Sequence, residues 1–142
     1  VFVVVSRYHG GAFVVFSKKL NEGMEVAAVE GSYASVIGGA PAAATVFSRD
    51  VKVRTDNDPR VVALREKIAA ADRTEAAALR TEMADLLETV RSQKLGEVAD
   101  EFDAIHTIQR AQRLGAVDRI IRAEDLRPYV VDALERGMAA YG

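Results

Sequence analysis

V-F-V-V-V-S-R-Y-H-G-G-A-F-V-V-F-S-K-K-L, residues 1–20, joins an apolar run to a glycine pair and then to a helix-compatible segment. Val1, Phe2, Val3, Val4 and Val5 are β-branched or aromatic without interruption, the pattern of a buried strand covered on both faces. Gly10-Gly11 turns the chain, residues 12–20 read as a short helix, and Asn21-Glu22-Gly23 stops it, with Gly23 as C-cap. The same order then recurs. Residues 24–29 and 33–37 read as short strands separated by Glu30-Gly31-Ser32. Gly38-Gly39-Ala40-Pro41 follows, with Pro41 suited to the first turn of a helix reaching about Arg49. A strand, a Gly-Gly turn and a helix, used twice, predict an α/β fold.

Beyond Asp58 the composition shifts to Ala, Leu, Glu and Arg, and residues 58–95 read as a helical segment. Asp58 is placed to cap a helix whose first residue is Pro59. Val61, Leu64, Ile68 and Ala71 form one apolar stripe at helical spacing; Leu79, Met83, Leu86 and Val90 form another. Asp72 with Glu75 resembles a capping box that restarts the helix, so a hairpin is favoured over one long helix. After Gly96 the pattern is helix (97–103), helix (107–114), a stop at Gly115, a strand (116–121) and a last helix from Leu126 to about Met138.

The 142 residues are 49% hydrophobic and 28% charged, with a formal net charge of -2. That composition supports one globular core. It argues against a non-specific nucleic-acid binder, which carries a basic excess. The absence of cysteine excludes disulfides and thiolate metal sites and fits a reducing, cytoplasmic setting. No apolar run approaches the roughly 20 residues that span a bilayer. The apolar N-terminus lacks the basic region of a signal peptide. A strand at the first residue, without an initiator Met, points to a fragment of a longer chain with a partner strand upstream.

The glycine pairs carry the most chemistry. A Gly pair opening a helix leaves backbone N–H groups directed outward at the positive end of the helix dipole, the construction of an anion or oxyanion site. The alternative is that Gly10, Gly11, Gly38 and Gly39 merely permit tight turns and close packing. His9 beside the first pair invites a general-base reading, but no Ser-His-acid or Cys-His set assembles around it. His106 is the only other histidine, which makes a metal site a weak case. Structural or substrate-lining roles rank ahead for both. Arg7, Lys18 and Lys19 flank the first turn and could hold phosphate or carboxylate groups, with ordinary solvation the more frequent role. Glu97, Asp100, Glu101 and Asp103 read as a solvated helix face rather than a metal site.

Four stretches taken together go further: S-R-Y-H-G-G-A-F-V-V-F-S-K-K-L (6–20), S-V-I-G-G-A-P-A-A-A (35–44), E-F-D-A-I-H (101–106) and A-V-D-R-I-I-R-A-E-D-L-R-P-Y (116–129). In order and spacing they resemble the C-terminal half of the carboxyltransferase of biotin-dependent acyl-CoA carboxylases, such as the acetyl-CoA and propionyl-CoA enzymes. The resemblance covers nearly the whole chain. No single motif is specific, but their order is. It implies a crotonase-like fold of repeated β-β-α units, with residues 1–142 forming most of the second, biotin-side copy and 58–95 an added helical segment.

It implies carboxyl transfer from carboxybiotin to the α-carbon of an acyl-CoA, giving a malonyl-CoA-type product. It also implies that the backbone amides of Gly11 and Ala12 stabilise the ureido oxygen of biotin. Gly10 then shapes the turn, and Gly38 and Gly39 contribute to the cofactor site. Because carboxybiotin brings its own base, no side-chain catalyst is needed. The partners implied are acyl-CoA, a biotin carboxyl carrier, a biotin carboxylase component, the N-terminal carboxyltransferase half with the thioester donors, and further copies in a homo-oligomer. Departures from the family pattern are Val29-Glu30-Gly31 in place of an aromatic-Pro pair, Phe13 for Tyr, Ile37 for Met and Ala123 for Pro. Two other functions compete: another crotonase-like acyl-CoA enzyme (hydratase or thioesterase) using His9 as base, and a non-catalytic assembly module presenting the 58–90 helices.

Overall fold

The computed structural model describes residues 1–141 and mixes strands with helices in an α/β arrangement. In chain order the elements are β1 (Phe2–Val4), β2 (Arg7–Tyr8), α1 (Gly10–Val15), β3 (Val26–Val29), β4 (Tyr33–Ala34), α2 (Gly39–Ala44) and α3 (Ser48–Asp56). They continue with α4 (Pro59–Ala70), α5 (Arg73–Ile105), α6 (Ile108–Arg113), β5 (Arg119–Ile121), a 3-10 turn (Ala123–Asp125) and α7 (Leu126–Tyr141). Composition alone suggested one core. The chain instead divides into two compact units: residues 1–38 with 103–142, and residues 39–102.

The first unit is built on a parallel three-stranded sheet of order β1-β3-β5, beside a parallel pair β2-β4. Central β3 explains its own sequence. Side chains alternate across a strand, so Val26 and Ala28 face a core with Val4, Tyr8, Ile108, Ala111 and Val117. Ala27 faces the other way, against Tyr129 and Ala133 of α7. All three strand residues are 1% exposed or less. Covering both faces selects an unbroken apolar run.

The same expectation for residues 1–5 is corrected. Only Val4 is buried, Phe2 and Val3 are half-buried, and Val1 and Val5 are exposed. Strand β1 is an edge with β3 as its neighbour among the described residues, so its ends lack the cover that β3 receives.

Local stops follow capping chemistry, with one correction. Helix α1 ends at Val15, and the side-chain amide of Asn21 donates to the carbonyls of Val15 and Ser17. Gly23, expected as the C-cap, lies farther on with φ +78°. Gly115 does end α6 in the left-handed region, with φ +76°. The Gly115 amide donates to Gln112 and that of Ala116 to Ala111, the paired bonds of a Schellman stop. Thr107 caps the start of α6 by accepting from the Arg110 amide.

The second unit is helical. The helix starting near Gly39 breaks after Ala44, and a further helix over Ser48–Asp56 that no sequence signal marked follows it. Asp58 caps α4 by accepting from the Arg60 amide, and Pro59 is its first residue. The Arg60 guanidinium, with the same amide and Lys94, outweighs burial and holds the Asp58 carboxyl at about 2. Asp72 accepts from the amides of Thr74 and Glu75 at the start of α5. Arg60 near the start of α4 donates to Gln93 well along α5, so the two helices fold back on each other. Val61, Leu64 and Val90 of the two stripes are buried, while Ile68, Leu79, Met83 and Leu86 are half-buried.

The break expected at Gly96 is absent, because α5 runs through it for 33 residues. Buried Val90, Val98 and Ala99 flank the glycine, and their packing offsets its weak helix propensity. A Cβ at position 96 meets nothing within 4 Å. Gly96→Ala is therefore expected to stabilise the chain by about 1 kcal/mol in urea denaturation; an unchanged or lower stability contradicts this account of the helix.

Candidate functional site

The Gly10–Ala12 turn leaves strand β2 and opens α1. His9 is extended (φ -131°, ψ 166°), Gly10 enters the left-handed region at φ +62°, and the helix begins there. That φ is the reason for glycine at position 10. The Gly10 amide is engaged by the carbonyl of Val36 at 2.8 Å. Gly11 and Ala12 follow within the first helical turn, where no intrahelical acceptor exists, and the side chain of His9 does not cap them. Both residues are exposed, as is Gly10. Gly11 does not share the positive φ, and a Cβ there meets nothing within 4 Å. The turn therefore presents two backbone donors beside open space. Chemically it can stabilise a developing oxyanion or hold a carbonyl-type oxygen.

The second glycine pair differs. Gly38 and Gly39 are both buried, with Gly38 closing the first unit and Gly39 opening α2 of the second.

His9 and the region behind the turn are ordered by a neighbour that sequence reasoning missed. Nδ1 of His9 lies 3.1 Å from Ser35 Oγ and 3.2 Å from the Ser35 carbonyl oxygen, and Ser35 Oγ donates to the Ile37 carbonyl at 2.5 Å. Ser35 is buried. Under the turn, Phe13 packs on Tyr8 at a ring distance of 5.1 Å, and Tyr8 packs on Phe2 at 5.2 Å. These rings seat α1 on the sheet. Burial raises the Tyr8 phenol above its ordinary value.

Two of the flanking cations, Arg7 and Lys18, are engaged within the first unit. Arg7 pairs with Asp103 at 2.6 Å and lies 5.0 Å from the Tyr33 ring centre. Lys18 pairs with Asp118, whose other carboxylate oxygen accepts from the Val26 amide. Burial opposes ionisation of Asp118, but Lys18 and that amide hold its carboxyl below the ordinary value. In the acidic run, Glu97 pairs with Lys94 and Glu101 with Arg54. Among the described residues no group of three or more His, Cys, Asp or Glu side chains could hold a metal ion. No described helix is long and apolar enough to cross a membrane.

A second cluster was not legible in sequence. Tyr129 of α7 donates to Glu25 at 2.5 Å, and Arg136 donates to both Glu25 carboxylate oxygens at 2.9 and 3.0 Å. The Tyr129 hydroxyl and then Arg136 hold the Glu25 carboxyl down, while burial and Glu25 push the Tyr129 phenol up to about 12. The cluster ties α7 to the start of β3. A hollow of about 500 Å³ beside it is lined by Glu25, Arg119 and Arg136 among others. In the second unit a groove of about 830 Å³ has Ala43, Val51, Leu87 and Leu95 along it, with Arg49 and Arg91. None of the five expected glycine and alanine site residues lines either space.

No protein-family model and no curated protein matches the chain. Solved structures do. Transcarboxylase 12S with methylmalonyl-coenzyme A and methylmalonic acid bound superposes with a TM-score of 0.55 at 19% identity, over 96% of this chain and 19% of that one. Transcarboxylase 12S with hydrolysed methylmalonyl-coenzyme A bound gives 0.53 at 22% identity, over 96% and 20%. The likeness shows a shared fold. The chain spans about a fifth of the length of these structures.

Proposed function

We propose that this chain is the biotin-side part of a carboxyltransferase that moves a carboxyl group onto the α-carbon of an acyl-CoA. The observation that carries the reading is the uncapped first turn of α1, with two exposed donors and open space at Gly11, on a fold shared with transcarboxylase 12S. The order β1-β2-α1, then β3-β4-α2, is read as two crotonase-like β-β-α units. In this reading the 58–95 helices are the insertion.

The turn fits the ureido group of biotin, because a flat carbonyl-bearing ring needs an approach that a side chain at position 11 would obstruct. Carboxybiotin, when bound, supplies the carboxyl group and the acceptor for the α-proton. The chain's own part is to place the Gly11 and Ala12 amides on the ureido oxygen and stabilise charge gathering there. A donor of this kind is worth about 3 kcal/mol of transition-state stabilisation. Gly10 shapes the turn, and the buried Gly38 and Gly39 are assigned to close packing. His9 is not the base in this scheme.

The donors for the acyl-CoA thioester belong to the N-terminal half of the carboxyltransferase. A biotin carboxyl carrier and a biotin carboxylase component complete the system. Homo-oligomerisation is part of the proposal; the transcarboxylase 12S structures are described as showing hexamer assembly and substrate binding to a multienzyme core.

The reading is tested by assaying malonyl-CoA-type product from carboxybiotin and acyl-CoA. The chain joined with its N-terminal half is expected to turn over, and the 142-residue chain alone to form no product above background. Turnover by the isolated chain near that of the complete enzyme overturns the half-site assignment. Thioester hydrolysis or hydration by the complete protein, without carboxyl transfer, favours the hydratase or thioesterase reading.

A further inference from the structure

The proton of His9 can be placed from its neighbours. Ser35 Oγ has one hydrogen, and it is given to the Ile37 carbonyl. Towards His9 the hydroxyl can then only accept, and the Ser35 carbonyl, also near Nδ1, can only accept as well. Both contacts require hydrogen on Nδ1. In the neutral ring Nε2 is then a bare acceptor, and it is buried with no hydrogen-bond partner among the described residues. A buried unpartnered acceptor costs stability, so the ring is held in place by its other nitrogen.

We infer that His9 is a positioning residue: as the Nδ1–H tautomer it pegs the Gly10–Ala12 turn to the segment leaving β4. The peg is one of three ties between the same two segments. The Ser35 amide donates to the Tyr8 carbonyl at 3.1 Å, and the Gly10 amide donates to the Val36 carbonyl at 2.8 Å. His9 lies between these backbone bonds and adds a side-chain bond to Ser35. Residues 8–10 are thereby laced to Ser35 and Val36 immediately before the exposed residues Gly11 and Ala12. Nδ1, carrying the hydrogen, cannot accept from the amides of its own helix, and His9 makes no side-chain cap bond there.

The effect on catalysis rests on the carboxyl-transfer reading, whereas the tautomer and the peg do not. Long-range proton–nitrogen spectra of the nitrogen-15-labelled chain are expected to show a pyrrole-type Nδ1 and a pyridine-type Nε2 for His9; the reverse pattern overturns the inference.

Two variants extend the test. His9→Asn keeps a donor near the Nδ1 position and removes the orphaned Nε2. It is expected to melt at or above wild type with exchange protection of the Gly10 amide retained. His9→Ala is expected to lose about fivefold of that protection, the effect of one ordinary hydrogen bond. Asn behaving like Ala overturns the peg. In the complete carboxyltransferase, turnover is expected to fall with Ala and recover with Asn at unchanged KM for acyl-CoA. Absence of carboxyl transfer in wild type removes the catalytic reading and leaves the spectroscopic and exchange outcomes to decide the peg.

Discussion

Gly11→Val is expected to leave the melting temperature within a degree or two of wild type (about 0.5 kcal/mol) and to lower carboxyl transfer about 100- to 1,000-fold. The two halves of the expectation have separate causes. Position 11 lies in the first helical turn without a positive φ, and a Cβ there meets no protein atom within 4 Å. A valine is therefore accommodated by the fold, and under the proposed reading its bulk occupies the space through which biotin reaches the Gly11 and Ala12 amides. Gly10 makes the contrast. Its φ of +62° strains any β-branched residue, so Gly10→Val is expected to lower stability and activity together. Turnover is measured in the complete carboxyltransferase and melting on the same preparations. If Gly11→Val stays active while His9→Ala abolishes turnover in a well-folded enzyme, the backbone-donor assignment fails and the histidine-dependent hydratase alternative moves ahead.

Ile108→Ala is expected to destabilise the chain by about 2–5 kcal/mol in urea denaturation. Ile108 opens α6, is fully buried, and packs in the cluster that holds Val4, Tyr8, Val26 and Val117. Its amide also donates to the Ser32 carbonyl at 3.1 Å, which fixes the helix start against the turn before β4. Truncation removes contacts from elements drawn from both ends of the sequence, and little can collapse into the space because β3 lies centrally in the sheet. Domain stabilities are about 5–15 kcal/mol, so the loss is a large share of the total. A loss below about 1 kcal/mol would falsify the placement of Ile108 at the centre of this core.

Much of the local architecture was legible because it is written over a few residues. Asp58-Pro59 starts a helix, Asp72 restarts one, Gly115 stops one, and Val26, Ala27, Ala28 and Val29 form a strand. Gly10 and Gly11 open a helix N-terminus, as their pairing after a strand implied. Each rests on capping, positive φ or alternation, all of which act within a turn or two of chain.

Other features were decided by partners far along the sequence. Whether residues 1–5 are buried depended on their place at the sheet edge, not on their apolarity. Gly96 remained helical because burial on either side outweighed propensity. Ser35 lies 26 residues from His9, and Tyr129 lies 104 residues from Glu25. The sequence by itself determined the helix boundaries at Asp58-Pro59, Asp72 and Gly115, because those are settled by local dihedral preferences and short-range hydrogen bonds. Only the tertiary structure decided which histidine nitrogen carries the proton, which glycine faces open space and which faces protein. Those outcomes depend on which distant groups remain within about 3 Å of each other once the cores have closed.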